Sequence, residues 1–462
     1  MIYNVSMKIQ HLMENEQAVQ VLQNTLPGLL KMVQGNPQAL TLSVEQLIRY
    51  SRVPQADMLL GKLDAALQEL NTPENAISPS EAKQIAFFRE IWQQEQQLPP
   101  KEKNHHQDAI YPGEPWLDTK GERIQAHGGA VYYENGTYYW YGENKTYTDG
   151  KNGIWTWGLK VYASQDLCNW DDFGYLIPPV LDDPNCALFP TKRVDRPHIL
   201  KCPKTGKYVC WIKLSGPEAA FTIWQADNLL GPYEMIENLY NPGGHKAGDF
   251  DMVADRETGK GYIYFDADHK SMLCMSLTED YLHADAESAN SYPNMTPPFT
   301  REAPALFEAK GRKYMITSGR SGYTPNQSEY AQAENWTDVF VSTGDPHVGD
   351  DTLSSFNSQI SQVFKVPGKE DLYIAIADRW MPDHLLDRDG ALAVRRTIGS
   401  KYMPDRFQAT AEDHAYLNAR PDLERANTRI ADYVWLPVHF VNEQICIPWH
   451  DTWQLSDYED SK

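Results

Sequence analysis

A short hairpin pattern recurs five times along this chain, and this repeat constrains the fold more than any other feature. In each copy an aromatic strand follows a glycine turn, which is Asn-Gly in the first copy, Gly-Arg in the fourth and Gly-Lys in the others. The copies are marked by tyrosines that stand 70, 54, 52 and 59 residues apart, namely Tyr138, Tyr208, Tyr262, Tyr314 and Tyr373. A repeat of this size, built from short alternating strands and turns, is typical of a β-propeller. The sequence therefore predicts an all-β, five-bladed β-propeller.

A polar residue precedes each marker tyrosine at a similar distance. These residues stand 11 to 14 positions before their tyrosines, and they are His127, Asp195, Asp251, Glu302 and Gln359. The innermost strand of each blade lines the central channel, so residues at its mouth end are aimed at one point. A single polar residue near a strand start is usually just solvated, but all five copies carry one. We therefore expect these five side chains to meet at the channel mouth.

Amino-acid composition and net charge indicate which class of molecule this protein binds. The formal net charge is −21, with 63 acidic and 42 basic residues, so a nucleic-acid phosphate backbone would be repelled. The six cysteines form no CxxC pair and the histidines no HExxH motif, so neither a metal nor another cofactor is expected. Aromatic residues are abundant and can stack on sugar rings as well as pack between blades. An oligosaccharide is the expected partner.

Targeting signals are absent from the sequence as it stands. No apolar segment has the length of a signal-peptide core or of a membrane span. We therefore expect a soluble, cytoplasmic protein without a membrane partner, although a chain trimmed of its leader would look the same.

Residues 1–97 differ from the rest of the chain because their apolar residues recur at helical spacing. Ser43 with Gln46, and Ser78 with Glu81, have the spacing of helix capping boxes. We predict an α-helical accessory domain of about four helices, with a docking or stabilising role and a surface through which a homo-oligomer can form.

Two further segments interrupt the repeat. Residues 98–120 are rich in Gln, Lys, Glu and Pro, which predicts a linker before a propeller over residues 121–457. Residues 383–430 are charged and lack strand alternation, which indicates an insertion in the last blade. Such an insertion either covers the channel mouth as a lid or packs on the helical domain.

Several stretches resemble, in order and spacing, glycoside hydrolase family 43. They are AHGGAVYYENGTYYWYGENK, DRPHIL, DMVADRETGKGYIYF, REAPALF, TSGRSGYTPN, NSQISQVF, DRW, YVWLPVHF and WHDTW. The resemblance is closest to the exo-β-1,3-galactanase-like branch of the family. It implies a five-bladed propeller that hydrolyses glycosides with inversion at the anomeric carbon and releases terminal galactose from β-1,3-linked galacto-oligosaccharides.

The same resemblance implies roles for the catalytic residues. Glu302 is expected to be the general acid, and Asp251 the carboxylate that tunes this acid and holds the sugar. The family usually has an aspartate base in the first blade, where this chain has Ala126-His127-Gly128-Gly129. In the similar branch a glutamine at the position of Gln359 has been assigned as the base, and glutamate is common where this chain has Asp195.

Substrate-binding residues are also implied by the resemblance. They are His127, Gly128, Glu143, Arg196, Tyr323, Asn326, Arg379 and Trp380.

Inverting hydrolysis requires a carboxylic acid for the leaving oxygen and a proton acceptor for the attacking water. Asp195, Asp251 and Glu302 around one poorly hydrated space would repel one another, so one of them, which we take to be Glu302, is expected to stay protonated. A neutral amide is a poor base. Gln359 would therefore either relay a proton through its imidic form or position the water while Asp195 accepts the proton.

Two alternative functions fit the same scaffold. One is another family 43 specificity, such as α-L-arabinofuranosidase or β-xylosidase, because loops read the ring size and hydroxyl stereochemistry of the sugar. The other is a non-catalytic carbohydrate-binding propeller.

Overall fold

The chain is built as two compact units. One comprises Met1–Pro100 with Leu181–Phe189, and the other comprises Lys101–Val180 with Pro190–Lys462. The structure is a computed structural model, and it describes residues 3–51, 55–72, 77–290, 299–420 and 427–461.

The first unit is helical. Its described residues form six α-helices rather than about four, and these are α1 Ile9–Leu12, α2 Glu16–Thr25, α3 Pro27–Gly35, α4 Val44–Tyr50, α5 Ala56–Gln68 and α6 Pro79–Gln96. The capping boxes predicted at Ser43 and Ser78 are confirmed, since each serine accepts a hydrogen bond from the third helical amide. Within the described part of the chain, no helix combines the length and the apolar character needed to cross a membrane.

The second unit contains five β-sheets. The first sheet is β1 His127–Glu134, β2 Thr137–Glu143, β3 Leu159–Ser164 and β4 Asp171–Ile177. The second is β5 Val194–Lys201, β6 Tyr208–Leu214, β7 Ala220–Ala226 and β8 Glu234–Tyr240. The third is β9 Ala247–Ala254, β10 Gly261–Ala267, β11 Ser271–Leu277 and β12 Ala284–Asn290. The fourth is β13 Arg301–Ala309, β14 Arg312–Gly319, β15 Glu329–Ala333 and β16 Val341–Gly344. The fifth is β18 Gln359–Lys365, β19 Tyr373–Arg379, β20 Asp432–Val441 and β21 Gln444–Pro448, to which the short β17 His347–Val348 adds in parallel.

These sheets are the five blades of a β-propeller, which confirms the predicted fold class. The first strands of the blades, β1, β5, β9, β13 and β18, contact one another in cyclic order and so surround the central channel. Apolar clusters fill the spaces between neighbouring blades, for example between the second and third and between the fourth and fifth. Each sheet thus buries its faces against its neighbours, as the repeat requires.

The predicted Asn-Gly hairpin of the first blade is confirmed. Glu134 pairs with Thr137 across a two-residue loop, and Asn135 and Gly136 both have positive φ, 52° and 83°. This is the backbone that a type I′ turn needs, and asparagine followed by glycine tolerates it best.

Backbone irregularities mark the mouth ends of the inner strands. The pairing register shifts beside His127, Asp195 and Glu302, and the following residues Gly128, Arg196 and Ala303 have φ of 55°, 49° and 52°. After Arg196 and Ala303 comes a proline, which has no N–H to continue the ladder. A bulge of this kind turns the preceding side chain away from simple alternation and re-aims it.

The first and fifth blades close the ring through an aromatic cluster. Trp116, Trp140 and Trp435 are buried together, with ring centroids of Trp140 and Trp435 4.7 Å apart. Residues 101–120, part of the segment interpreted as a linker, belong to this unit, and Ile110 lies buried in the same cluster. Ile110 also pairs with Trp453 near the end of the chain.

The insertion in the last blade, predicted over 383–430, contains two helices in its described part. These are α7 Arg388–Tyr402 and α8 Ala411–Asn418, between the strands β19 and β20. Arg396 on α7 holds both carboxylate oxygens of Asp413 on α8, so the two helices form one piece.

Removing the buried indole of Trp140 tests the closure of the ring. We expect Trp140→Ala to lower the free energy of unfolding of the propeller by about 3–5 kcal/mol, since it leaves a cavity between two blades. Urea unfolding followed by near-ultraviolet circular dichroism measures this loss. Phe173 is 54% exposed on the outer strand of the same blade, and Phe173→Ala is expected to change stability by less than about 1 kcal/mol. Equal losses in the two variants would contradict the assignment.

Candidate active site

Side chains from all five blades meet in one cavity at the channel mouth. The cavity has a volume of about 220 Å³ and receives Glu143 from the first blade, Asp195 from the second, Asp249 from the third, Glu302 from the fourth and Gln359 from the fifth. The side chains of Arg196, Tyr323 and Trp380, all predicted from the sequence, complete part of its wall. Of the five side chains expected to meet at the channel mouth, those of Asp195, Glu302 and Gln359 do so. Glu143, at the end of the second strand of the first blade, joins them.

Glu302 combines access to the cavity with an unusual proton affinity. Its side chain is 17% exposed, and burial together with the nearby charge of Asp249 raises its pKa to about 8. Arg320 partly opposes this shift, because its Nε lies 3.8 Å from Glu302 Oε2. A carboxyl group with this pKa carries its proton near neutral pH and can donate it.

A buried set of charges surrounds this acid. Lys213 Nζ lies 2.5 Å from Asp249 Oδ1 and 3.4 Å from Asp195 Oδ2, and Arg196 Nε lies 3.3 Å from Asp249 Oδ2. Burial opposes ionisation of Asp249, but Lys213 and Arg196 outweigh it and hold the pKa of that carboxyl well below its usual range. Asp249 is therefore an anion beside Glu302, which is how it raises the pKa of the acid.

Gln359 is held in one orientation by hydrogen bonds to both its amide oxygen and its amide nitrogen. Arg196 Nη2 and Trp380 Nε1 donate to Gln359 Oε1 over 2.7 and 3.2 Å, while Gln359 Nε2 donates to Ser318 Oγ over 2.8 Å. The oxygen accepts and the nitrogen donates, which is the pattern of the ordinary amide. Gln359 Nε2 also lies 3.5 Å from Glu302 Oε1.

Asp195 and Glu143 are the other carboxylates of the cavity. Asp195 accepts hydrogen bonds from Ser215 Oγ and from Trp155 Nε1. Glu143 accepts from the backbone N–H of Arg196 at 2.9 Å, and its other oxygen lies 2.9 Å from Lys145 Nζ. Burial raises the pKa of Glu143 to about 7 in spite of Lys145.

Asp251, predicted to tune the acid, points elsewhere. Its oxygens accept from the backbone N–H groups of Met252 and Leu306, both over 2.7 Å, and His198 Nδ1 lies 3.2 Å away. Burial raises the pKa of Asp251 to about 8. Asp251 thus joins three blades in the interior, and the structure places Asp249 where the tuning carboxylate was expected.

Four other predicted residues also lie off the cavity wall. His127 is fully buried, stacked on Tyr433 and hydrogen-bonded between Asp378 and Gln125. Gly128 donates its N–H to Asp378 Oδ2. Both residues therefore join the first blade to the fifth. Arg379 donates to the carbonyl oxygens of Gly113 and Phe356. Asn326 folds back onto its own loop by bonding both backbone groups of Gly319.

Sequence reasoning missed several residues of the site. These are Asp249, Lys213, Trp155, Arg193 and Arg320. The sequence does carry a signal for Asp249. It stands 13 residues before Tyr262, the same distance as from Asp195 to Tyr208, whereas Asp251 stands 11 residues before Tyr262. Trp155 lines the cavity, and two cations lie over its ring, with Lys145 Nζ 4.7 Å and the Arg193 guanidinium 4.9 Å from its centre.

The arrangement supplies acid–base chemistry on a small polar ligand. The protonated carboxyl of Glu302, three further carboxyl groups and an oriented amide face one space, with aromatic rings at its edge. Among the described residues, no group of three or more His, Cys, Asp or Glu side chains is arranged to hold a metal ion.

Comparisons with known proteins bear on the fold and the family of this propeller. The sequence model described as "Glycosyl hydrolases family 43" matches residues 124–384. No curated protein sequence matches the chain significantly. Among solved structures, a family 43 β-1,3-galactosidase is similar with a TM-score of 0.61 and 26% identity, over 77% of this chain and 65% of that chain. The chain thus spans a little under two thirds of that relative.

Two exo-β-1,3-galactanases share the fold. The enzyme from Phanerochaete chrysosporium, solved with galactose, has a TM-score of 0.59 and 20% identity, over 75% of this chain and 68% of that chain. The enzyme from Clostridium thermocellum has a TM-score of 0.58 and 23% identity, over 75% and 66%.

The proton affinity of Glu302 can be measured directly. In protein labelled with ¹³C at the glutamate carboxyls, we expect one signal to titrate near pH 8 and to be absent from Glu302→Gln. In Asp249→Asn this pKa is expected to fall, because the neighbouring negative charge that favours the protonated form is gone while Lys213 remains. A pKa unchanged by Asp249→Asn would show that Asp249 does not tune the acid.

Proposed function

Because this chain belongs to glycosyl hydrolase family 43, we propose that it hydrolyses glycosides with inversion at the anomeric carbon and releases terminal galactose from β-1,3-linked galacto-oligosaccharides. The resemblance and the five-bladed fold expected from the sequence are both confirmed. The observation that carries the proposed reaction is Glu302, a cavity carboxyl whose pKa is raised to about 8. The sugar and linkage are supported by the likeness to the β-1,3-galactosidase.

Glu302 is the general acid of this proposal. Its proton moves to the glycosidic oxygen as the bond from that oxygen to the anomeric carbon breaks, so the leaving group departs as a neutral alcohol. The carboxylate that remains is stabilised by Arg320. Activity is expected to fall as pH rises above about 8, since Glu302 then loses the proton it must give.

Asp195 is the proton acceptor of this proposal, with Gln359 positioning the water. Both hydrogen bonds to Gln359 Oε1 stabilise the amide over the imidic form, and an amide is a poor base. Gln359 Nε2 also lies 3.5 Å from Glu302 Oε1, whereas an inverting acid and base stand about 6.5–9.5 Å apart to leave room for water and sugar. Asp195 is a carboxylate on another blade, contacted by Lys213.

Release from a chain end suits the size of the cavity. Its volume of about 220 Å³ is below the roughly 300–1,000 Å³ of pockets for drug-sized ligands, so it suits one sugar ring rather than a polymer segment. Trp155, Tyr323 and Trp380 add aromatic side chains to its wall, which suits a sugar ring.

Replacing the acid tests the proposed reaction. Glu302→Gln keeps the shape of the side chain but has no acidic proton, so hydrolysis of β-1,3-galactobiose is expected to fall by at least about 10²-fold while the melting temperature is unchanged. Proton NMR during turnover identifies the released sugar and its first-formed anomer.

The wild-type enzyme separates the candidate functions in the same assay. Galactose of inverted configuration supports the proposal, whereas pentose release from aryl glycosides would assign another family 43 specificity. Binding without turnover would indicate a carbohydrate-binding propeller. Near-full activity of Glu302→Gln would exclude this residue as the acid.

Azide distinguishes the two candidate bases. It attacks the anomeric carbon without needing a base, so it is expected to restore turnover of an activated aryl galactoside in Asp195→Ala and to yield the inverted galactosyl azide. Gln359→Ala is the matched variant and is expected to gain little from azide. Rescue of Gln359→Ala, but not of Asp195→Ala, would reverse the assignment.

A further inference from the structure

The insertion helix α7 reaches the rim of the sugar cavity through one side chain. The connection between β14 and β15 includes residues 320–327, which we call the rim loop. Gly322 and Tyr323 of this loop line the cavity, and Arg395 on α7 donates from Nη1 to Gln327 Oε1 over 2.9 Å. The insertion therefore contacts a loop that shapes the proposed sugar site.

Gln327 is held from two directions. Its carbonyl oxygen accepts from Arg301 Nη2 over 3.0 Å, and Arg301 directly precedes Glu302 on β13. Its side chain accepts from Arg395 Nη1, so its backbone and its side chain are held by different elements. One residue thus links the insertion helix to the strand that carries the proposed acid.

The rest of the rim loop is tied together internally. Asn326 accepts from the Gly319 N–H and donates to the Gly319 carbonyl and to Ser321 Oγ, while Ser321 Oγ donates to the Thr324 carbonyl. A loop closed in this way moves as one body, so a hold on Gln327 also sets the position of Tyr323.

Tyr323 transmits that position to the wall of the cavity. Its ring packs edge-on against Trp380, with centroids 5.4 Å apart, and Trp380 Nε1 donates to Gln359 Oε1. A displaced rim loop would therefore loosen the wall of the cavity at Tyr323 and Trp380, whereas Gln359 keeps its bonds to Arg196 and Ser318.

The Arg395 bond crosses an open cleft, whereas elsewhere the loop is held by Ser355 Oγ, which donates to the Asn326 carbonyl over 2.9 Å. A cleft of about 210 Å³ lies between the loop and α7, lined by Phe299, Leu392, Val394 and Ile398 among others. Because this space is not filled by packed side chains, the Arg395 bond is a point contact across a gap rather than part of a packed core.

We propose that α7 is a brace that sets the width of the sugar cavity, with Arg395 and Gln327 as positioning residues. α7 is itself anchored, since Asn357 exchanges two hydrogen bonds with the backbone of Leu386 just before the helix, over 2.7 and 3.0 Å. The effect on the sugar rests on the proposed function, whereas the bracing of the loop does not.

Arg395→Ala and Gln327→Ala test the brace in the full-length enzyme. Each variant is expected to raise KM for β-1,3-galactobiose on the order of tenfold, the loss of one hydrogen bond to a charged group, with kcat within about twofold. Hydrogen exchange of the peptide spanning residues 319–328 is expected to accelerate in both. Gln327→Glu, which still accepts from Arg395, is expected to retain wild-type KM and exchange.

Arg396→Ala is the matched control from the next position on α7. It breaks the bonds to Asp413 within the insertion, so it is expected to lower the melting temperature but to leave KM and loop exchange unchanged. Wild-type KM and exchange in Arg395→Ala, or an equal rise in KM in Arg396→Ala, would overturn the proposal. If no glycoside is turned over, the proposed function fails, and the exchange measurements still decide whether α7 braces the loop.

Discussion

The site depends on the buried ammonium of Lys213. It lies between Asp249 and Asp195, which come from inner strands of two neighbouring blades and would otherwise place two negative charges close together in a poorly hydrated space. Arg196 adds a second positive charge beside Asp249. With these two cations in place Asp249 stays ionised, and its negative charge adds to the burial of Glu302 in keeping the proton on that acid.

The backbone supplies the geometry that this charge balance requires. Asp195 and Glu302 each precede a residue of positive φ and then a proline, so the strand ladder is interrupted at the mouth end of both blades. A regular strand would point alternate side chains into the spaces between blades, where apolar clusters lie. The bulges re-aim the carboxylates towards the cavity instead, and the strain of the left-handed residues is located at the site.

The sequence predicted much of this site but gave the role of tuning the acid to Asp251 instead of Asp249. Glu302, Asp195 and Gln359 were found because each opens the inner strand of its blade at nearly the same distance from a marker tyrosine. Asp251 and Asp249 lie two residues apart on one strand, and alternation alone does not tell which of them is nearer the mouth. Lys213 lies on a second strand, Arg320 directly after one, and Trp155 on a loop, so no repeat position marked them.

The number of blades and the hairpin at Asn135-Gly136 follow from sequence alone, because turn chemistry and strand periodicity are local properties of the chain. The helical nature of the N-terminal residues follows for the same reason. Which carboxylate is charged, which is protonated and which lies in the interior was decided only by the tertiary structure. Those properties depend on burial and on neighbours that are distant in sequence, as Lys213 is from Asp249 and Asp249 from Glu302.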